Sequence, residues 1–179
     1  MTRVTAGKPR RPVPPAVLLA PPQRPRFFDG RLLTAADLSR EQEYHIGMRR
    51  LHNLATLGAG VVAGLAVTDE PGGGGVLVSP GFAIDPWGRE VIVPVAERLA
   101  RPAPRPKPAR RCFVVLRYAE EPIDPMPTLG HAGSPVEPSA VRETYTMSIE
   151  SKPPAPDDPA LILRMLAPPT KRRLRRTGR

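Results

Sequence analysis

The sequence contains little cysteine and few aromatic residues. Cys112 is the only cysteine among 179 residues, and the aromatic residues are four Phe, three Tyr and one Trp. A single cysteine excludes both a disulfide framework and a metal site built from cysteines. No apolar run approaches the ~18 residues that a membrane-spanning helix needs, and the run 17–20 is too short for the core of a signal peptide. We therefore expect a cytoplasmic protein with no membrane span.

Proline is abundant instead. The chain has 26 Pro and 15 Gly, a proportion close to that at which disorder is common. The sequence therefore predicts a folded body with disordered Pro/Arg-rich arms. It divides into a Pro-rich extended arm (1–25), a core of helix and β-hairpin (26–100), a Pro/Arg-rich linker or loop (101–111), the remaining strands and Pro-rich loops of the same domain (112–166) and a basic tail (167–179).

The net charge of +10 is unevenly distributed. Residues 1–31, 101–111 and 171–179 carry +6, +5 and +6, which leaves −7 for the other 128 residues. One interpretation is that basic arms bind an acidic surface, either nucleic acid or protein. The alternative is that Arg accumulates wherever structure does not forbid it. The candidate nucleic-acid contacts, which predict weak and non-specific binding, are Lys171, Arg172, Arg173, Arg175 and Arg176.

The region after Thr34 has the pattern of a long helix. Thr34 is a good N-cap with Asp37 three residues later, a variant of the capping box, and glycines at 58 and 60 favour an end near Leu57. One stripe of the helix is apolar and is predicted to face the core: Tyr44, Met48, Leu51 and Ala55. A separate polar face predicts either a buried contact with loops or a partner contact: Gln42, His45, Arg49 and His52.

Strand patterns follow the helix. The turn Asp85-Pro86-Trp87-Gly88 separates two candidate strands, as expected of a hairpin, and residues 120–139 read as a proline-punctuated loop. Residues 161–166 are apolar but fit no single type. We predict an α+β fold, with one long N-terminal helix packed on a small, mostly antiparallel sheet. About five strands are expected, from the extended segments 61–68, 76–78, 82–84, 90–93, 112–118 and 142–149.

Residues that support catalysis are scarce. His45 and His52 are seven residues apart on the helix, whereas a shared metal needs a same-face pair such as i and i+4. Cys112 opens an apolar strand and is expected to pack in the core. The glycines at 72–75 lack the Gly-Lys-Ser/Thr end of a phosphate-binding loop. The sequence therefore predicts no enzyme, with no catalytic residue, cofactor or metal.

Two sequence blocks have a recognisable order. Residues 26–38 read Arg-Phe-Phe-Asp-Gly-Arg-Leu-Leu-Thr-Ala-Ala-Asp-Leu, and residues 81–89 have the pattern Gly-x-Ala-x-Asp-x-x-Gly-Arg. With 41–45 and 49–53 between them, they resemble a family of small proteins encoded beside phage-tail-like (extracellular) contractile injection systems in bacteria. The hairpin pattern is also similar to one in phage tail and baseplate accessory proteins. The resemblance covers about residues 26–95 and excludes the N-terminal arm and the basic tail.

The resemblance implies a non-enzymatic structural or assembly component of a contractile particle, such as a baseplate, fibre or accessory part. Its partners would be other subunits of that large particle, in the cytoplasm. The alternatives are a basic-tailed protein that binds nucleic acid or acidic proteins, and a glycan-binding fibre tip, for which the few aromatic residues leave little material.

Three features are candidates for fold-defining or partner contacts. Residues 27–30 are expected to anchor the end of the arm, the polar helix face to contact loops or a partner, and the hairpin to organise the strands. The competing interpretation is that the aromatic residues only fill the core, that the helix face is solvated and that the hairpin only turns the chain. The candidate residues are Phe27, Phe28, Asp29, Gly30, His45, Arg49, His52, Asp85, Trp87, Gly88 and Arg89.

Overall fold

The structure is a computed structural model that describes residues 21–102, 111–128 and 136–166. The predicted N-terminal arm is described only from residue 21. The basic tail and residues 103–110 of the predicted linker lie outside the described residues.

One long helix, α1 (Ala35–Thr56), precedes all strands of the described chain. Its start confirms the predicted capping box, because the Thr34 side chain accepts a hydrogen bond from the Asp37 N–H while the Asp37 carboxylate accepts one from the Thr34 N–H. Its end also lies where the sequence predicts it. Leu57 is the C-cap, and Gly58 follows with a φ of +75° that favours glycine.

In the described ranges, nine strands form three antiparallel sheets, in place of the five or so strands and the one sheet that the sequence predicts. The sheet orders are β1-β4-β5, β2-β3-β6 and β8-β7-β9. The α+β class is confirmed. The strands are β1 (Gly60–Gly64), β2 (Val67–Asp69), β3 (Gly75–Val78), β4 (Gly81–Ile84), β5 (Glu90–Val93), β6 (Glu97–Ala100), β7 (Cys112–Pro127), β8 (Val136–Glu150) and β9 (Leu161–Leu166).

The predicted continuous strand 61–68 is wrong, since the chain breaks there between β1 and β2. Leu65 has a φ of +55°, outside the extended region that a strand needs. The break sends β1 to pair with β4 and β2 to pair with β3, which lie in different sheets. Because the residues on both sides of the break are apolar, the hydrophobic pattern of the sequence does not reveal it.

The predicted loop 120–139 is also wrong. The long strands β7 and β8 pair from Phe113↔Glu150 as far as Pro127↔Val136, through several prolines. Proline is excluded from central strands because it lacks an N–H donor, but it is tolerated where one side of the strand is open. Strand β9 pairs with β7 only between Cys112 and Leu116, so β7 has an open side beyond that point.

The three sheets share one core. Tyr145 of β8 donates a hydrogen bond to the Glu97 carboxylate of β6 at 2.6 Å, and Arg164 of β9 donates one to the Val67 carbonyl oxygen of β2 at 2.8 Å. These polar contacts fasten the third sheet to the second at the rim of the core. The buried core residues are Leu65, Val76, Val78, Ala83, Val91, Val93, Val114, Leu116 and Leu166.

Candidate functional site

Several hydrogen bonds converge on one buried carboxylate in the turn between β4 and β5. Asp85 is completely buried. Its Oδ1 accepts hydrogen bonds from the backbone N–H groups of Trp87 and Arg89 at 2.8 and 2.9 Å, and its Oδ2 accepts one from the Arg89 Nε–H at 2.6 Å. Because both carboxylate oxygens are occupied by donors of its own turn, Asp85 holds the turn and has no proton-transfer partner.

The Arg89 side chain ties this turn to the third sheet. Its guanidinium carbon lies 4.7 Å from the centre of the Trp87 ring and 4.5 Å from the centre of the Tyr118 ring, within the range of a cation–π contact. Burial and a hydrogen bond to Glu120 raise the pKa of the Tyr118 phenol. The sequence predicts Trp87 and Arg89 as turn residues but does not identify Tyr118 as their partner.

The helix lies directly on the same turn. Gly88 has a φ of +80°, and a Cβ there would lie 3.0 Å from the carbonyl carbon of Arg50 and closer still to its oxygen. Asn53, which is buried, donates hydrogen bonds to the Gly88 carbonyl oxygen at 3.0 Å and to the Glu90 carboxylate at 3.2 Å. Arg49 forms an ion pair with Glu90. The helix α1 therefore packs on this turn.

The predicted core face of α1 is wrong. Met48 and Leu51 are each 37% exposed, and Ala55 is exposed as well. Tyr44 and Asn53 are nine residues apart, which places them about 180° apart around a helix of 3.6 residues per turn. Because Asn53, with Arg49 and Arg50 on the same side of the helix, contacts the body, the apolar stripe faces solvent.

The predicted polar face is not brought together as one site. His45 is exposed and lies 3.0 Å from the Glu41 carboxylate, one turn earlier on the same helix. His52 is exposed. Of the four residues predicted on this face, Arg49 reaches the body, through its ion pair with Glu90.

The segment before the helix exposes its aromatic residues. Phe27 and Phe28 are 48% and 63% exposed, so the interpretation that they fill the core is wrong. Gly30 closes a turn with a φ of +82°, in which the Arg31 N–H donates to the Phe28 carbonyl oxygen at 3.2 Å. Asp29, which is also exposed, lies in the same turn.

Arg31 connects this turn to the start of α1. Its guanidinium carbon lies 5.8 Å from the centre of the Phe27 ring, and its Nη2 lies 2.5 Å from the Asp37 carboxylate. Hydrogen bonds from Thr34, together with Arg31, lower the pKa of Asp37. These contacts hold the preceding turn against the first turn of α1, and the side chains of Phe27 and Phe28 beside it are exposed.

Sequence reasoning missed one polar network. Arg117, in the middle of β7, contacts the carboxylates of Glu150 and Asp158 at 2.5 and 2.8 Å. Hydrogen bonds from Arg117 lower the pKa values of both carboxyl groups. An arginine within the apolar run 112–118 is the signal that would have shown it, because a charge in such a strand needs a carboxylate partner.

Two further features of the described residues bear on possible chemistry. These residues contain no group of three or more His, Cys, Asp and Glu side chains that could hold a metal ion, and Cys112 is half-buried. An open groove beside Arg117 is lined by Ile149, Pro153 and Pro154, with a volume of about 460 Å³. Three of its charged groups, Arg117, Glu150 and Asp158, are paired with one another, and Lys152 also lines it.

No protein-family model matches this chain, and no curated protein is significantly similar to it. In the described ranges, α1 is too polar to cross a membrane, and no other helix is present. The candidate nucleic-acid contacts Lys171 to Arg176 lie outside the described residues, so they remain a prediction.

Proposed function

We propose that the protein is a non-enzymatic structural or assembly component of a phage-tail-like contractile injection particle and acts through protein–protein contacts. One observation carries the proposal: α1 contacts the body through polar groups, and its apolar stripe faces solvent. The resemblance of residues 26–95 to proteins encoded beside such particles supports the choice of particle.

The segment before the helix exposes further apolar side chains. Soluble monomers rarely expose large contiguous apolar patches, and those that do commonly use them for binding. A subunit interface typically covers ~800 Å² on each partner, which is more than one helical stripe supplies. The preceding segment adds the exposed side chains that such an interface needs: Phe27, Phe28, Leu32 and Leu33.

Co-sedimentation from the native cell tests the proposal. The tagged protein is expected to travel in a heavy fraction with sheath and tube proteins, identified by mass spectrometry. The double variant Met48→Ser, Leu51→Ser should leave the heavy fraction with little change in melting temperature, because both side chains lie outside the core. The matched control Gln42→Ser, His52→Ser changes the polar side of the same helix and should stay in the heavy fraction.

Recovery of the wild-type protein only as a light species would overturn the particle role. Equal behaviour of the two double variants would show that the apolar stripe is not the contact surface. A light species that carries nucleic acid would favour the alternative, a basic-tailed nucleic-acid-binding protein.

A further inference from the structure

The far part of the β7–β8 hairpin projects from the body as a two-stranded ribbon, residues 119–127 and 136–144, which we call the ribbon. Strand β9 covers β7 only as far as Leu116. Most side chains of the ribbon are exposed; those of Ala119, Ile123, Ala140 and Thr144 are half-buried. An isolated two-stranded ribbon is marginally stable in water, so a ribbon of this length gains stability from a bound partner.

The β7 edge of the ribbon is poorly suited to an added strand. Proline has no N–H to donate to a neighbouring strand, and proline on an edge is a common device against strand addition. The ribbon carries four such residues, and two of them, Pro125 and Pro138, oppose each other in the register. A partner at the β7 edge would therefore contact the ribbon through side chains. The four residues are Pro122, Pro125, Pro127 and Pro138.

The side chains that a partner would meet are acidic. Five carboxylates and the single cation Arg142 give the ribbon a net charge of −4, and Arg142 is paired with Glu121 at 3.3 Å. Glu120 lies directly opposite Glu143 in the register, an arrangement of like charges that destabilises a β-pair. Arg49 and Arg89 line a small cleft with Glu143 at the root of the ribbon. The carboxylates are those of Glu120, Glu121, Asp124, Glu137 and Glu143.

The chain leaves the described body at the other end of the same sheet. Leu166, the last residue of β9, pairs with Cys112, the first residue of β7, and the two strands are antiparallel. The chain at Leu166 therefore runs away from the ribbon. Met126 lies fourteen residues along β7 from Cys112, a distance of about 46 Å at ~3.3 Å per residue.

The segment that follows carries the opposite charge. Residues 171–179, which we call the basic segment, contain six Lys or Arg and no acidic residue. Even fully extended at ~3.6 Å per residue, Lys171 reaches about 18 Å from Leu166 and Arg176 about 36 Å. Asp124 lies about 40 Å along β7 from Cys112, and Glu137 pairs with Met126 at about 46 Å, both in the direction opposite to that of the departing chain. Most cations of the basic segment therefore fall short of the far half of the ribbon of their own chain.

We propose that the ribbon of one copy binds the basic segment of a second copy, so that the chain associates head to tail. Charge complementarity supplies the attraction, and the separation of the two elements at opposite ends of one sheet favours contact between chains over contact within one. An interface between two different surfaces propagates into a ring or an open filament, according to the rotation between neighbours. The contact does not depend on the particle role proposed above.

Sedimentation of the purified, nuclease-treated full chain tests this contact. Self-association is expected at 50 mM NaCl and should be lost at 1 M NaCl, because the screening length falls to ~3 Å at 1 M. Two variants each remove one side of the contact: Glu120→Gln, Glu121→Gln, Glu137→Gln on the ribbon, and Arg172→Gln, Arg173→Gln, Arg175→Gln on the basic segment. Each should weaken self-association at least tenfold.

Mixing the two variants is the decisive measurement. The ribbon variant keeps an intact basic segment and the other variant keeps an intact ribbon, so an equimolar mixture should form a one-to-one dimer and nothing larger. The control Asp29→Asn, Glu43→Gln, Asp157→Asn removes the same charge from exposed sites elsewhere and should associate like wild type.

Several results would overturn the proposal. These are a wild-type chain that stays monomeric at 50 mM NaCl, association that persists at 1 M NaCl, a mixture that stays monomeric, or a control variant that loses association. Because the mixture uses one intact copy of each surface, loss of folding in a single variant is separated from loss of contact by comparing melting temperatures. Loss of the heavy fraction in the native cell is a different outcome and would leave this result unchanged.

Discussion

Replacing Gly88 with alanine should destabilise the protein considerably more than replacing Gly30 with alanine. Both glycines have φ near +80°, and an L-residue in that left-handed region costs about 1–2 kcal/mol. Gly30 has open space where a Cβ would stand, so that this strain is its whole cost. At Gly88 the new methyl group would overlap the backbone of Arg50, and α1 would have to move.

Movement of α1 has a further cost that the structure allows us to work out. The two hydrogen bonds of Asn53 to Gly88 and Glu90 would be lost, at about 1 kcal/mol each. We therefore expect Gly30→Ala to lower the free energy of unfolding by about 1–2 kcal/mol and Gly88→Ala by about 3–4 kcal/mol, from strain and lost hydrogen bonds together.

Urea unfolding followed by circular dichroism measures both values. Hydrogen exchange provides an independent readout, because amides in the second half of α1 should lose protection in Gly88→Ala and keep it in Gly30→Ala. Equal destabilisation by the two variants, with unchanged protection in α1, would refute the conclusion that α1 packs on the Asp85–Arg89 turn.

Two further predictions concern buried charge. Asp85→Asn removes the charge that binds the Arg89 guanidinium inside the fold, and should cost about 3 kcal/mol in urea unfolding; a cost below about 1 kcal/mol would show that the turn holds without it. Because Arg117 lowers the pKa values of Glu150 and Asp158, their contribution to stability is complete above the ordinary values of 4.5 and 3.8 and is lost as pH falls through the lowered values. The melting temperature of Arg117→Gln should therefore fall less between pH 7 and pH 2 than that of wild type, and parallel curves would contradict this.

Local signals in the sequence were sufficient for the parts of the fold that depend on neighbouring residues. The helix start at Thr34, its end near Gly58 and the turn after Asp85 each rest on hydrogen bonds within a few residues. The sequence also supports the antiparallel pairing of β4 with β5, since that hairpin closes on the same turn.

The parts that depend on distant residues could not be predicted in this way. The stripe containing Met48 and Leu51 has the spacing of a core face, and periodicity alone does not show that Gly88, more than 30 residues later, receives the opposite side of the helix. The length of the β7–β8 hairpin was hidden for a related reason. Proline excludes a central strand, and the sequence does not show that β9 ends at Leu116 and leaves the remainder of β7 with an open side.

The described arginines bear on the two interpretations of the basic segment. If Arg accumulated only where structure does not constrain it, arginines in the body would have little systematic relation to carboxylates. The structure instead pairs them repeatedly across long separations in sequence, as in Arg98 with Glu70, Arg164 with Asp69, and Arg117 with Glu150 and Asp158. In the body, arginine is used to join elements through carboxylates. The ribbon, with five carboxylates and one arginine, carries an excess of acid, and the basic segment carries an excess of cations. If arginine joins neighbouring chains in the same way, the basic segment of one chain would bind the ribbon of another.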